Sequence, residues 1–499
     1  MSGSVLVIDV GTSGVRGAVV RPDASVDCSH RVPLAAETPA PGLVELDARR
    51  LAEEVLSVAA VVQEEAGGVD GVAITNQRAT TVVWERRTGA PVAPAIGWQD
   101  LRTVGTCLAL QADGIRLAPN MSATKLAAIL DAVDPERARA DGLCFGTIDS
   151  WVAWTLSGGP GGPRGGLHVT DATNAAVTGL MDTSDLRHVD RYDTAVLAAL
   201  RIPEVVLPRV VDTSGIVGEA TALPGAPPIC AMAGDQQASL VGQGCTHPKS
   251  AKATFGTGGM LDLLRGDAPP ERAGRGPAGT FPIVAWRRGG AVVWGIEAMM
   301  LTAGSCVEWL RDDLGVVSTA EETAQLAASC ETSGGVWFVP ALMGLGTPVW
   351  DFGARGTLLG ITRGTGRAEL VRAVLEGVAH RGADLLESAE ADGAVTVATL
   401  RVDGGMSANG VFVQALADAC GRPVEVSREL EATTLGAGLL GGLAVGTWSG
   451  TDELAGTYRP KEVVGPRLDD VGRTAWRARW LEARDKAART IPELSGIDF

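Results

Sequence analysis

Two glycine-rich turns, each set between apolar β-type runs and lying about half a chain apart, constrain this sequence more than any other feature. Val5 to Ile8 is a β-branched apolar run, Asp9 to Gly14 supplies Gly, Thr and Ser, and Val15 to Val20 resumes the β pattern. That succession predicts a hairpin. Lys252 to Phe255 enters Gly256, Thr257, Gly258 and Gly259, after which Met260 to Leu264 runs on as an apolar strand. A device repeated at that distance predicts an internally duplicated architecture, one hairpin opening each half. The length of 499 residues agrees, because it exceeds what a single hydrophobic core organises and suits two large domains. The boundary is placed near Cys245 to Lys249, giving domains over 1–245 and 246–499.

Two further segments matter for organisation. Ser157 to Gly166 (SGGPGGPRGG) is followed by β-like sequence and is read as an exposed hairpin loop. Leu400 to Val402 is a buried-type strand that runs into Asp403, Gly404 and Gly405 and then a helix from Ala408 through Ala419. Strand, glycine turn and helix form a nucleotide-binding arrangement, since glycines let a ligand approach the backbone and a helix start offers free N–H groups.

Three constellations can carry chemistry. In the first turn, glycines aim N–H groups inward, Thr12 and Ser13 add hydroxyls and Arg16 adds positive charge, so the turn can cradle phosphates while Asp9 holds Mg2+ through water. A plain tight hairpin explains the same glycines. Asp235 follows the apolar run Ile229 to Ala233 and Gly234, at a strand end where clefts in α/β proteins open, and can accept the proton of an attacking hydroxyl. A helix N-cap explains it as well when it is taken alone. Thr75, Asn76, Gln77 and Arg78, with Trp98, Gln99 and Asp100, put hydroxyl-binding groups and an indole face after short apolar segments, where core packing is the competing account of Trp98.

Net charge of −16 disfavours nucleic acid or an anionic membrane as the main partner. The eight cysteines are scattered, with no C-x-x-C pair, and read as reduced thiols. The amino terminus lacks the basic flank of a signal peptide, and the apolar stretch Ala291 to Gly304 is short and interrupted by Glu297, so a cytoplasmic protein without a membrane span is expected.

Taken jointly and in order, VIDVGTSGVRG, ITNQRATTVVWERRTG, IGWQDLRT, FGTIDSWVAW, HVTDATNA, AGDQQASLVGQ, FGTGG, ARGTLLGITRGT, LRVDGGMSAN and TTLGAGLLGGLAVG resemble the FGGY carbohydrate kinases, most closely the glycerol kinases. The likeness runs from Val5 to about Trp448. It implies an α/β fold of two ribonuclease H-like domains of the actin and hexokinase ATPase type, with an interdomain cleft holding a polyol or sugar and ATP with Mg2+. It also implies a homodimer or homotetramer as the assembly. Carried over by residue, Asp9 and Asp235 match the magnesium-associated carboxylates, and Asp235 also matches the general base. Thr12, Ser13 and Arg16 match the first phosphate turn, Thr257 and Gly258 the second, and Gly304, Glu308, Gly405 and Asn409 the rest of the nucleotide site. Gln77, Arg78, Trp98, Asp100, Asn120, Gln236 and Met260, together with Asp235, form the implied acceptor site. The chain departs from the glycerol-kinase pattern at Ala79 in place of Glu, Asn120 in place of Tyr, Met260 in place of Phe, and Glu308 in place of Gln. The changes at Ala79, Asn120 and Met260 leave room for a four- or five-carbon polyol or ketose, while Glu308 alters a nucleotide contact. A non-catalytic sugar sensor and an actin-like ATPase are more remote alternatives.

Overall fold

A computed structural model describes residues 3–163, 165–429 and 431–497. The first hairpin forms as its pattern predicts, from β1 (Val5–Gly11) and β2 (Gly14–Val20), and β3 (Val26–Pro33) extends it. With β4 (Gly71–Asn76), β5 (Ser214–Glu219) and β6 (Pro228–Gly234) these strands make one sheet in the order β5-β6-β4-β1-β2-β3. The second hairpin comes from β7 (Ala251–Phe255) and β8 (Gly259–Gly266). It joins β9 (Phe281–Arg288), β10 (Ala291–Met300), β11 (Leu400–Asp403), β12 (Val424–Ser427) and β13 (Pro460–Val464) in the order β9-β10-β8-β7-β11-β12-β13.

The two sheets repeat one pattern. From β3 across to β5 the successive pairings are antiparallel, antiparallel, parallel, parallel and antiparallel. From β10 across to β13 the sequence of pairings is the same, and β9 is an added edge strand. Duplication inferred from two turns therefore extends to the whole sheet topology, and the chain has the two-domain α/β fold.

Helices fix how the halves meet. α1 (Ala48–Ala66) packs on the first sheet through Leu51, Val55, Val58 and Val62. α2 (Ser122–Val133) and α3 (Ile148–Leu156) belong to the same half. α4 (Asp235–Gly242) and α5 (Arg367–Gly393) come next, followed by α6 (Gly410–Cys420), α7 (Ala432–Val445) and α8 (Asp470–Ala487). Leu435, Leu439, Leu440 and Leu443 of α7 share a core with Val5, Val7 and Ala73 of the first sheet and with Leu264, Ala285 and Trp286 of the second. A helix from late in the chain thus seals against the earlier sheet. It can do so because it crosses α4 almost backbone to backbone. A Cβ on Gly436 would lie 1.8 Å from the Ala238 carbonyl oxygen, and one on Gly242 would lie 1.9 Å from that of Ala432. Only glycine permits that approach.

The glycine-rich segment from 157 onward is not a hairpin loop. It connects α3 to the short strand Val169–Asp171, and a Cβ on Gly166 would stand 2.4 Å from the Trp154 ring, so that glycine makes way for an indole. Arg164 lies outside the described residues. Among the described residues no helix is long and apolar enough to cross a membrane, and Ala291 to Met300 is strand β10.

Candidate active site

Register brings the predicted residues to one level. Val10 of β1 pairs with Asn76 of β4, which pairs with Gly234 of β6. These strands are parallel, so the segments leaving their carboxyl ends emerge side by side: the first glycine turn, Gln77 with Arg78, and Asp235 at the start of α4. In the second sheet Thr254 of β7 stands beside Asp403 of β11, and Gly404 presses so closely on β7 that a Cβ would lie 2.5 Å from the Phe255 carbonyl oxygen. The strand, glycine turn and helix expected after Leu400 are present as β11, a short turn and α6.

At the first turn Thr12 and Ser13 are exposed and Asp9 is half-buried. Asp9, Arg16 and Arg31 form one row across β1, β2 and β3. Arg16 is ion-paired with Glu431, and Arg31 donates to Ser13 Oγ at 2.7 Å. Thr434 of α7 donates to Asp9 Oδ2 at 3.2 Å. Burial, reinforced by the charge of Asp235, pushes the Asp9 carboxyl up to about 6 despite Arg16. The second turn exposes Thr257. Gly304 N donates to the Gly256 carbonyl at 2.8 Å, and Ser305 N donates to that of Thr257 at 3.2 Å, so the 303–305 segment is bolted to this turn. Gly405 faces open space and Glu308 is exposed. Asn409 caps α6 by accepting from Val411 N and Phe412 N, and it donates to Thr323 Oγ1 at 3.0 Å.

Between the turns lies a buried charge network. Gly234 makes room for Arg78, whose Cδ and Cγ would lie 2.8 Å from a Cβ there. Thus held, Arg78 reaches Asp235 at 3.8 Å and Glu297 of β10 at 2.6 Å, joining the two halves. Lys252 Nζ lies 2.8 Å from Asp262 and donates to Gln236 Oε1 at 2.7 Å. Burial raises Asp235, Glu297 and Asp403, with Arg78 opposing the shift at the first two and Lys252 opposing it at the third. Asp235, Asp262, Glu297 and Asp403 thus face two cations, Arg78 and Lys252, while Asp9 is opposed by Arg16 and Arg31, and the Asp403 Oδ1 atom is buried without a hydrogen bond. An excess of buried carboxylate, with the carboxyls of Asp9, Asp235, Glu297 and Asp403 raised, is the electrostatic setting a divalent cation relieves. The described residues hold no cluster of three ligating side chains. Asp9 and Asp235 therefore suit Mg2+ that takes its other oxygens from phosphate and water.

Acceptor residues divide. Trp98 keeps 37% of its surface exposed, and Lys125 Nζ binds the carbonyls of Trp98 at 3.0 Å and Asn120 at 3.4 Å, so these two segments adjoin. Met260 is half-buried at the root of the second turn. Ala79 is buried in the left-handed region at φ 62°, with its carbonyl accepting from Ser122 Oγ at 3.0 Å. Asp100 is taken out of the pocket. It is fully buried, Oδ1 accepts from Arg102 N and Nε, and Oδ2 accepts from Val44 N at 2.6 Å and Arg102 Nη2 at 2.8 Å, leaving no lone pair aimed at a ligand. Gln77 is buried, and its side-chain amide donates to the Gly11 carbonyl of the first turn at 3.4 Å. Sequence reasoning missed Glu297, Lys252, Asp262 and Lys125. Glu297 carried a signal, since a carboxylate within an apolar strand is rare unless paired. Cavities of about 330 Å³ and 420 Å³ include none of these residues.

Comparison with known proteins places this geometry. Residues 4–242 match the model of the N-terminal domain of the FGGY family of carbohydrate kinases, and residues 251–445 match that of its C-terminal domain. A glycerol kinase of Aromatoleum aromaticum is 43% identical over 97% of this chain and 98% of its own length. One of Deinococcus radiodurans is 38% identical, with 97% of each covered. The crystal structure of Plasmodium falciparum glycerol kinase with ADP superposes with a TM-score of 0.88 at 27% identity, covering 97% of this chain and 98% of that one. The ligand-bound xylulose kinase of Lactobacillus acidophilus, at 18% identity, shares the fold with a TM-score of 0.84, covering 99% and 100%.

Proposed function

The chain belongs to the FGGY family of carbohydrate kinases, and from that membership we propose that it phosphorylates glycerol, or a polyol close to it in size, with Asp235 as general base. The observation that carries this reading is Arg78, held by Gly234 between Asp235 and Glu297. A guanidinium with a neighbouring carboxylate binds a hydroxyl as both donor and acceptor. Burial raises the Asp235 carboxyl, and the arginine opposes that shift in favour of the ionised form a base requires.

The acceptor oxygen attacks the γ-phosphorus of ATP, the bond to the ADP oxygen breaks, and the hydroxyl proton passes to Asp235. The N–H groups and hydroxyls of the two turns, with Arg16, face the phosphates. Asp9 and Asp235 would hold Mg2+, which when bound neutralises phosphate charge. Glycerol is favoured by the full-length relatives, and Ala79 favours something larger as the second reading. Acceptor-dependent ADP release across glycerol, erythritol, D-xylulose and D-ribulose decides between them. A pentulose preferred by orders of magnitude in kcat/KM removes glycerol. Asp235→Asn is expected to lower kcat by about 100-fold or more while leaving nucleotide affinity in place.

A further inference from the structure

The first turn of α2 carries three buried polar side chains, Ser122, Thr124 and Lys125, each exposed by at most 1%. Each ties down a different segment of the acceptor wall. Ser122 Oγ donates to the carbonyl of Ala79, Thr124 Oγ1 donates to Thr103 Oγ1 at 2.8 Å, and the Lys125 ammonium joins the carbonyls of Trp98 and Asn120. Among the described residues Lys125 has no ion-pair partner within 4 Å. An unpaired ammonium is costly to bury, and a hydrophobic side chain of the same length would fill the space without that cost.

We propose that Lys125 is a positioning residue for the acceptor: its ammonium locks the Trp98 and Asn120 segments at the spacing that receives the polyol. The inference rests on the acceptor reading above and adds to it a residue outside the pocket. Burial lowers the Lys125 pKa to about 7, with Asp100 and Cys107 opposing the shift and Arg102 adding to it. Below neutrality the ammonium holds both carbonyls. As pH rises through 7 it loses a proton, the clasp weakens, and acceptor KM increases.

The test compares the wild-type protein with Lys125→Met, using the best acceptor of the four-compound panel. Loss of two charge-assisted hydrogen bonds is expected to raise acceptor KM about tenfold or more, with kcat and the KM for ATP within about threefold of wild type. Wild-type acceptor KM should climb between pH 6 and 8.5, whereas that of Lys125→Met should be high and flat. Lys125→Gln keeps a neutral donor and should give a smaller, pH-independent rise, which preserves the test should the methionine variant not fold. Acceptor KM within twofold of wild type, or a fall in kcat matched by a rise in the KM for ATP, overturns the proposal. Wild-type turnover with an unchanged variant removes this inference alone, whereas wild-type protein without acceptor-dependent ADP release removes the function reading and this inference with it.

Discussion

Arg78 offers the sharpest test of the cleft, because one guanidinium there serves two carboxylates on different halves of the molecule. It lies 2.6 Å from Glu297 and 3.8 Å from Asp235, with 13% of its side chain exposed. At an effective dielectric of about 20 these separations correspond to gross attractions of roughly 6 and 4 kcal/mol, most of which only offsets desolvation. Removing one partner is different, since it strands the other. Arg78→Met should therefore destabilise by about 3–5 kcal/mol, or roughly 6–20 °C in Tm for a half-chain of this size. Burial already raises Glu297, so protonation can relieve the stranded charge, and the loss should be larger at pH 8 than at pH 6. Arg78→Met/Glu297→Met removes the pair together and should recover at least half the loss, because replacing a buried pair by apolar groups is nearly neutral. Differential scanning fluorimetry of the four proteins, without ligand and at both pH values, gives the cycle. Additivity within about 0.5 kcal/mol would falsify the claim that these side chains form one coupled link across the cleft.

Other outcomes follow from the same arrangement of charges and close backbone approaches. Asp9 has a folded-state pKa near 6, above its unfolded value, so its proton is bound more tightly in the folded state and ionisation above pH 6 costs stability. Ligand-free protein should accordingly gain Tm as pH falls from 7 towards 5, and Asp9→Asn should raise Tm at pH 7 while lowering kcat, read by thermal melts and coupled ADP assay. Gly436→Ala sets a methyl against the Ala238 carbonyl of α4, which no rotamer change relieves, and should yield insoluble protein or lose more than about 3 kcal/mol by urea unfolding. Gly234→Ala has side-chain atoms, the Arg78 stem and the Gln237 amide, as its nearest neighbours, so it should fold and yet lose acceptor affinity, seen as a rise in acceptor KM with little change in the KM for ATP.

What the sequence made legible was whatever depends on near neighbours. Both hairpins, the strand into Asp403 and the helix after it are written in local apolar runs and glycines, and they stand where those patterns place them. Glycine was ambiguous only about its reason. Around residue 160 it yields to the ring of Trp154, a contact that composition suggestive of a loop does not announce. The site was legible as a set of segments and illegible as a set of roles. Trp98 and Asp100 sit two residues apart, yet one presents an open indole and the other closes on Val44 and Arg102. No rule of local pattern separates them, because the partners of Asp100 include a segment more than fifty residues away.

Duplication explains why the charge balance of the cleft is shared so unevenly. Each half repeats the same sheet and the same glycine turn, so phosphates can be met from both sides by equivalent backbone. Side chains broke the symmetry. Where β1 carries Asp9 two residues before Gly11, β7 carries Thr254 two residues before Gly256, and its buried charge, Lys252, stands further back and is neutralised by Asp262 on β8. The second half keeps its own acid one strand over, as Asp403, where a buried oxygen lacks a partner. On the function proposed above, the first half would supply the acceptor wall and the base, while the second supplies Glu297, which holds Arg78 beside Asp235. Because Arg78 spans from Asp235 in the first half to Glu297 in the second, the proposed alignment requires the halves to keep this spacing, and a protein held with them apart should bind nucleotide without turning over the acceptor.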